Sequence, residues 1–295
     1  MAIKKLGVVG QGRMGSGITQ HAAAQGYEVT LYGRSIERVE KAIANISASY
    51  DRAIAKGRLS AEIKDAAIKN IIPVCNLHEL ADCDFVIECV AEDKELKESI
   101  FSQLNEICPE NVIFASNTSA IPISTLAVGC GRPDRFVGTH FFNPVPSMKL
   151  VEIVRGLHTS DETLTVTKNF MEELGKVGVI VSDTPAFLVN RLMHAFRNEA
   201  MNCLQEGVAS LEDIDTAVRL GLGHPMGPFE LNDFAGLDIG YAAATTLYEN
   251  FKDPKWRPNL MVKKLVEAGD LGRKTGKGWY DYTSGEKKLR DDIHF

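Results

Sequence analysis

Two groups of residues have types and spacing that could do chemistry. The first is Gly10-Gln11-Gly12-Arg13-Met14-Gly15. It sits between an apolar run, Leu6-Gly7-Val8-Val9, and a helical stretch from Ser16 to Gln25. A glycine turn that opens a helix leaves free amides at the helix's positive end, where a pyrophosphate binds. Gly10 permits the tight turn, Gly12 lets the backbone approach the phosphates, and Gly15 lets the helix pack close to the strand. The same pattern also arises in turns that hold no ligand. Its place between a strand and a helix favours a dinucleotide. The second group falls just past strand-like runs. Glu92 follows Asp84–Glu88, and Ser116-Asn117-Thr118-Ser119 closes Val112–Ser116. Ligands of parallel sheets lie beyond the carboxyl ends of the strands, where these residues fall.

The elements that must position these groups can be read from apolar spacing. Glu28–Tyr32 and Ile71–Val74 add strands, and Ser35 to Lys69 has helical spacing, with Ser35 a candidate N-cap and a basic group, Arg52, Lys56 and Arg58, around Gly57. Lys94–Cys108 and Asp161–Leu174 read as helices, and Leu150–Val154 and Val177–Val181 as strands. Strands alternating with helices predict an α/β fold, a Rossmann-type doubly wound parallel sheet covered on both faces. Asp183-Thr184-Pro185 marks a boundary, with Thr184 able to cap a helix whose first residue is Pro185. Beyond it the spacing is helical over 187–206, 211–220, 237–249 and 259–268. The expected organisation is a dinucleotide-binding domain over 1–184 and an all-helical C-terminal domain over 185–295. The basic, glycine-rich stretch Gly272–Tyr280 reads as a loop able to close over an anion.

At 295 residues the chain is long enough for two domains, and 44% apolar with 24% charged residues is the balance of a globular protein. A net charge of −6 implies no general affinity for nucleic acid or anionic membrane. The six cysteines, Cys75, Cys83, Cys89, Cys108, Cys130 and Cys203, include no CxxC pair, which argues against a disulfide framework or a zinc site and suits a reducing cytosol. Met1-Ala2-Ile3-Lys4-Lys5 runs straight into the first strand, and no apolar run reaches about 18 residues, so neither a secretory signal nor a membrane span is expected. The expected location is cytoplasmic.

Five motifs, in order, carry a family resemblance. They are Gly10-x-Gly12-x-Met14-Gly15-x-Gly17, Ser116-Asn117-Thr118-Ser119, His140-Phe141-Phe142-Asn143-Pro144, Val189-Asn190-Arg191 and Gly227-Pro228-Phe229-Glu230-Leu231. Together they resemble the 3-hydroxyacyl-CoA dehydrogenases, most of all the short bacterial 3-hydroxybutyryl-CoA dehydrogenases. The resemblance implies a nicotinamide cofactor, an acyl-CoA substrate with (S)-specific chemistry at its 3-position, and a helical domain that forms a homodimer. It implies no metal. Hydride transfer to or from a secondary alcohol needs a group that takes and returns the hydroxyl proton. His140 fits, because an imidazole titrates near pH 6.5, at about neutral. Glu152, twelve residues on, would fix its tautomer and stabilise its charged form. Ser119 and Asn190 would hydrogen-bond the substrate oxygen. Glu92, Lys97, Asn143 and Lys274 match positions that contact the nicotinamide half of the cofactor. Arg52 and Lys56 could hold the phosphates of coenzyme A, although such a helix is also a common solvent face. The other histidines, His294 among them, receive no role.

One position departs from the family's pattern. Relatives that use NAD place an Asp at the tip of the second strand to accept the adenine-ribose hydroxyls. This chain has Gly33-Arg34-Ser35 there. Arg34 can pair with a 2′-phosphate through two N–H bonds and Ser35 can add a hydroxyl, so NADP(H) is expected over NAD(H), with the reductive direction favoured. A sugar-acid dehydrogenase on the same architecture and a non-catalytic dinucleotide-binding protein remain as alternatives.

Overall fold

The computed structural model describes residues 3–293. The chain divides into two compact units at the Phe187–Leu188 bond.

The first unit contains, in order, β1 (Lys5–Val9), α1 (Arg13–Ala24), β2 (Glu28–Tyr32), α2 (Ile36–Ala55), α3 (Ala61–Lys69), β3 (Ile71–Val74), β4 (Phe85–Glu88), α4 (Lys94–Ile107), β5 (Ile113–Ser116), α5 (Ile123–Gly129), β6 (Phe136–Phe141), β7 (Leu150–Arg155), α6 (Asp161–Glu173) and β8 (Val177–Ser182). The strands form one sheet in the order β3-β2-β1-β4-β5-β6-β7-β8. Side chains alternate across it. Leu6, Val8, Phe85 and Ile87 pack on one face with Ile18 of α1 and Val39 and Ile46 of α2. Val9, Val86 and Phe114 pack on the other with Phe101 and Leu104 of α4 and Leu126 of α5. Burial on both faces explains why these strands read as continuous apolar runs. The order reverses between β1 and β4, so the loops after these two strands, Gly10–Gly12 and Cys89–Glu92, flank the switch point.

The sheet is mixed where a parallel one was expected. The strands from β1 to β6 pair in parallel, but β7 runs antiparallel to β6, and β8 is parallel to β7. The link from Phe142 to Lys149 holds no helix. A parallel return needs a crossover of about a dozen residues or more, so this link turns the chain back instead. The helical reach from Ser35 to Lys69 is two helices, broken where Gly57 takes φ +66° and Ser60 caps α3 through the Ile63 N–H. Ser35 occupies the N-cap position of α2 without capping it, since its hydroxyl donates to Glu37. The helix expected to start at Pro185 starts at Val189. Ala186 and Phe187 stand at φ +63° and +51°, left-handed values that interrupt any helix begun at Thr184.

The second unit contains α7 (Val189–Gln205), α8 (Leu211–Gly221), α9 (Pro228–Ala235), α10 (Leu237–Phe251), α11 (Leu260–Glu267), β9 (Tyr280–Asp281) and β10 (Lys288–Leu289). It is therefore helical with one short antiparallel ladder, not all-helical. Met201, Phe229, Leu237, Met261, Leu265 and Trp279 form its core. Two buried carboxylates tie the tail to the helices. Asp233 accepts from the N–H groups of Trp279 (2.8 Å) and Tyr280 (3.0 Å), and Asp215 accepts from the Phe229 N–H (2.9 Å) and the Tyr280 hydroxyl (2.7 Å).

Among the described residues no helix is long and apolar enough to cross a membrane, no cluster of His, Cys, Asp or Glu could hold a metal, and the six cysteines are free.

Candidate active site

The antiparallel turn of β7 builds the central pair. His140 and Glu152 are direct cross-strand partners. Side chains of such partners leave the same face of the sheet, close enough to meet. The imidazole Nδ1 lies 2.7 Å from Glu152 Oε2, with Glu152 wholly buried and His140 nearly so. A carboxylate oxygen accepts, so Nδ1 carries a hydrogen and Nε2 is the ring nitrogen left outside the pair. The ring rests against Phe142 and Phe187, with centroids 4.7 and 5.5 Å away. Phe187 is one of the left-handed residues, so a sparsely populated backbone state holds one wall of the imidazole's setting.

Beside it, beyond β5, a carboxylate shapes the turn that carries Ser119. Glu92 Oε1 accepts from the Thr118 hydroxyl (2.5 Å) and from the Ser119 and Ala120 N–H groups (3.0 Å each). Burial pushes this carboxyl up, but those donors and the Lys97 charge outweigh it and hold it below the usual range. Lys97 reaches the loop from beneath. Its buried ammonium lies 2.6 Å from Glu88 and 3.3 Å from Glu92, and Glu88 also accepts from Ser116 (2.7 Å) and the Val90 N–H (2.6 Å). Asn117 Oδ1 accepts from the Phe141 N–H (3.0 Å), which ties this turn to the residue after His140. The Ser119 side chain is exposed and does not cap α5. Sequence reasoning missed Glu88 and Phe187, and it gave Thr118 no role of its own within its motif. A Glu ending an otherwise apolar buried strand was the available signal for Glu88.

The glycine loop fits a dinucleotide. Gly10 takes φ +115°, and a Cβ on Gly15 would lie 1.8 Å from the Gly10 carbonyl oxygen. A Cβ on Gly12 would meet nothing, so the approach is open. Helix α1 starts with neither a side-chain cap nor an acidic residue in its first turn, which leaves its amides and positive dipole end for an anion. Met14 lies in that first turn. At the tip of β2, a Cβ on Gly33 would fall 2.5 Å from Gln11 Oε1 and 2.6 Å from Val39 Cγ2, so these two side chains take the space a carboxylate there would need. Arg34 is exposed and makes no ion pair among the described residues. The Ser35 hydroxyl donates to Glu37.

Arg52 and Lys56 line one groove with Arg58, His21, Tyr50, Pro144 and Ser147. The groove thus joins the basic end of α2 to the loop that follows His140 and contains the exposed Asn143.

Asn190 and Lys274 belong to the second unit. Asn190 stands in the first turn of α7. Lys274 is held by Asp238 at 2.6 Å, Arg273 by Glu230 at 2.8 Å and Lys277 by Asp292 at 2.9 Å. The tail's cations are therefore paired with carboxylates of their own unit, where a loop waiting for an anion was expected.

Comparison with known proteins agrees with this geometry. Residues 5–184 match the 3-hydroxyacyl-CoA dehydrogenase NAD-binding domain, and residues 187–282 match the C-terminal domain of the same family. A 3-hydroxybutyryl-CoA dehydrogenase of Bradyrhizobium diazoefficiens is 45% identical over 95% of this chain and 96% of its own length. One from Clostridioides difficile is 41% identical over 94% of this chain and 99% of its own. The crystal structure of (S)-3-hydroxybutyryl-CoA dehydrogenase from Ralstonia eutropha superposes with a TM-score of 0.92 at 44% identity, covering 96% of this chain and all of that one. With a dinucleotide loop at the switch point and a buried histidine–glutamate pair on β6 and β7 of the same sheet, the chain is an oxidoreductase that belongs to the 3-hydroxyacyl-CoA dehydrogenase family.

Proposed function

We propose that this enzyme interconverts acetoacetyl-CoA and (S)-3-hydroxybutyryl-CoA, preferring NADP(H) to NAD(H) and working chiefly in the reductive direction. The observation that carries the reaction is the buried His140–Glu152 pair with Nε2 left unbonded. Relatives named for the four-carbon substrate support the chain length.

When bound, the nicotinamide gives a hydride to the 3-carbon or takes one from it. The chain's own residues do the rest. In the reductive direction the His140 imidazolium donates its Nε2 proton to the oxygen formed at that carbon, and the neutral ring takes the proton back in oxidation. Glu152 holds Nδ1–H throughout and stabilises the charged ring. Ser119 and Asn190 orient the substrate oxygen. Glu92 and Lys97 keep the Ser119 turn in shape beside the cofactor, and Asn143 and Lys274 add contacts to its nicotinamide half. Gly10, Gly12, Met14 and Gly15 receive the pyrophosphate. Arg52 and Lys56 hold the phosphates of coenzyme A. A homodimer formed through the helical unit and a cytoplasmic location belong to the same reading.

The cofactor preference is supported by the glycine at position 33 and by the free Arg34 guanidinium. A charge-assisted bond from arginine to phosphate is worth about 1.5–3 kcal/mol, or about 10- to 150-fold. The test is kcat/KM for acetoacetyl-CoA with NADPH and with NADH, in the wild type and in Arg34→Ala. NADPH should be favoured by at least about tenfold in the wild type, and the variant should bring the ratio towards one. Equal efficiencies, or a preference for NADH, would remove the cofactor assignment. Absence of turnover with either cofactor would remove the substrate assignment.

A further inference from the structure

The loop that leaves His140 is anchored by a lysine that the reaction described above does not use. Residues 142–149 hold no helix, and every residue of 143–149 except Val145 is exposed. Such a stretch keeps one shape only if something pins it. Lys176 lies in the turn between α6 and β8, where Gly175 takes φ +70° just past the helix. Its side chain is buried, and Nζ donates to the carbonyl oxygens of Val145 (2.5 Å) and Met148 (2.8 Å). Those two carbonyls bracket Pro146 and Ser147, which line the groove shared with Arg52 and Lys56. Asn143 lies outside the bracket.

Ordinary packing does not account for this lysine. Its ammonium makes no ion pair among the described residues, and burial draws its pKa down to about 8, so it still carries its charge at neutral pH. A buried charge without a carboxylate partner is costly, so stability alone is a poor reason for it. What the ammonium adds is two directed bonds to backbone that an apolar side chain cannot make. The loop is held from its other side by α1. A Cβ on Gly17 would lie 3.0 Å from Val145 Cγ2 and 3.1 Å from Val145 Cβ, so the missing side chain lets Val145 seat against that helix. Gly17 is the one glycine of the N-terminal motif without a part in the proposed cofactor site, and this contact supplies its reason. The loop is thus clasped between α1 and the α6–β8 turn, which fixes one wall of the groove.

We propose that Lys176 is a positioning residue for the acyl-CoA substrate, holding the Pro146–Ser147 wall where the groove accepts the phosphate-bearing part of coenzyme A and taking no part in hydride or proton transfer. The proposal rests on the reading of Arg52 and Lys56 as the phosphate contacts. Without the clasp the wall shifts, and a displacement of about 1 Å costs a positioned interaction up to about 100-fold. The loss falls on substrate affinity, because His140 is fixed by its pairing with β7 and the bracket excludes Asn143.

The test compares acetoacetyl-CoA with the acetoacetyl thioester of N-acetylcysteamine, which has the same reacting carbons and no phosphate. Both are reduced by the wild type, Lys176→Met, Gly17→Ala and Arg52→Ala/Lys56→Ala, with cofactor affinity read by fluorescence and folding by circular dichroism. In Lys176→Met, KM for acetoacetyl-CoA should rise about tenfold or more, while kcat, cofactor affinity and KM for the short thioester stay within about twofold. Gly17→Ala presses on Val145 with the ammonium in place and should raise the same KM about threefold or more, so it decides the matter if Lys176→Met does not fold. A smaller rise in a folded Lys176→Met, an equal rise for both thioesters, or a loss carried by kcat or by cofactor affinity overturns the proposal. So does an unchanged KM in Gly17→Ala where Lys176→Met does not fold. If Arg52→Ala/Lys56→Ala leaves KM for acetoacetyl-CoA unchanged while Lys176→Met raises it, the assignment of Arg52 and Lys56 falls and the role of Lys176 stands.

Discussion

Replacing Glu152 by Gln keeps the shape of the β6–β7 pair but removes the charge that faces His140. The magnitude follows from the geometry. With Nδ1 and Oε2 2.7 Å apart, the charge centres of ring and carboxylate stand about 4 Å apart, and at an effective dielectric near 20 their attraction is about 4 kcal/mol. A hydrogen bond to a charged group is worth about 1.5–3 kcal/mol, and the amide oxygen of Gln preserves a neutral bond to Nδ1–H. The loss should therefore fall at about 2–4 kcal/mol, which lowers kcat about 30- to 1000-fold. It should fall on kcat because the imidazole is charged only during part of the cycle, while cofactor and substrate meet other residues. The assay is steady-state acetoacetyl-CoA reduction by Glu152→Gln, with cofactor affinity measured separately by fluorescence to show an intact fold. A fall in kcat of less than about tenfold, or an effect carried by KM with kcat preserved, would refute the assignment of Glu152 as the group that stabilises the charged imidazole.

Lys97→Met should destabilise the first unit by about 3–5 kcal/mol, because Glu88 is left buried without its cation, and Lys97→Met/Glu88→Gln should recover part of that loss. Far-UV circular dichroism during urea unfolding reads this, and a single variant within about 0.5 kcal/mol of the wild type would show that the pair does not hold the loop. Asp233 supplies a pH test in the second unit. Burial holds its carboxyl up at about 6, against the pull of the Trp279 and Tyr280 N–H groups and the Tyr282 hydroxyl. The folded state therefore binds this proton more tightly than the unfolded state, so Asp233 adds stability as pH falls through 6 and withdraws it as pH rises. Between about pH 7 and about pH 5 its contribution should grow by about 1 kcal/mol, and Asp233→Asn should abolish that growth. Both tryptophans, Trp256 and Trp279, lie in the second unit, so tryptophan fluorescence during urea unfolding follows that unit alone. An unchanged pH slope in Asp233→Asn would show that another group is responsible.

The sequence by itself determined the elements whose cause is local. Apolar runs marked β1 to β5 within a residue or so, because the burial of a strand is written in its own side chains. The dinucleotide loop was legible for the same reason. Gly10 and Gly15 answer to a turn and a close contact that any strand–turn–helix unit imposes. The motif His140 to Pro144 named the acid–base residue through resemblance. Tertiary structure decided what depends on pairing between distant segments. The antiparallel return of β7 is invisible in alternation, yet it alone makes His140 and Glu152 register partners. The resemblance offered Lys97 as a contact to the nicotinamide half of the cofactor, and only the tertiary structure shows it buried between Glu88 and Glu92. Arg273, Lys274 and Lys277 looked like an anion trap until their carboxylates were placed beside them. Local sequence reports backbone propensity and burial, whereas the partner of a charge is chosen by the fold, and for a charged side chain the partner decides the chemistry.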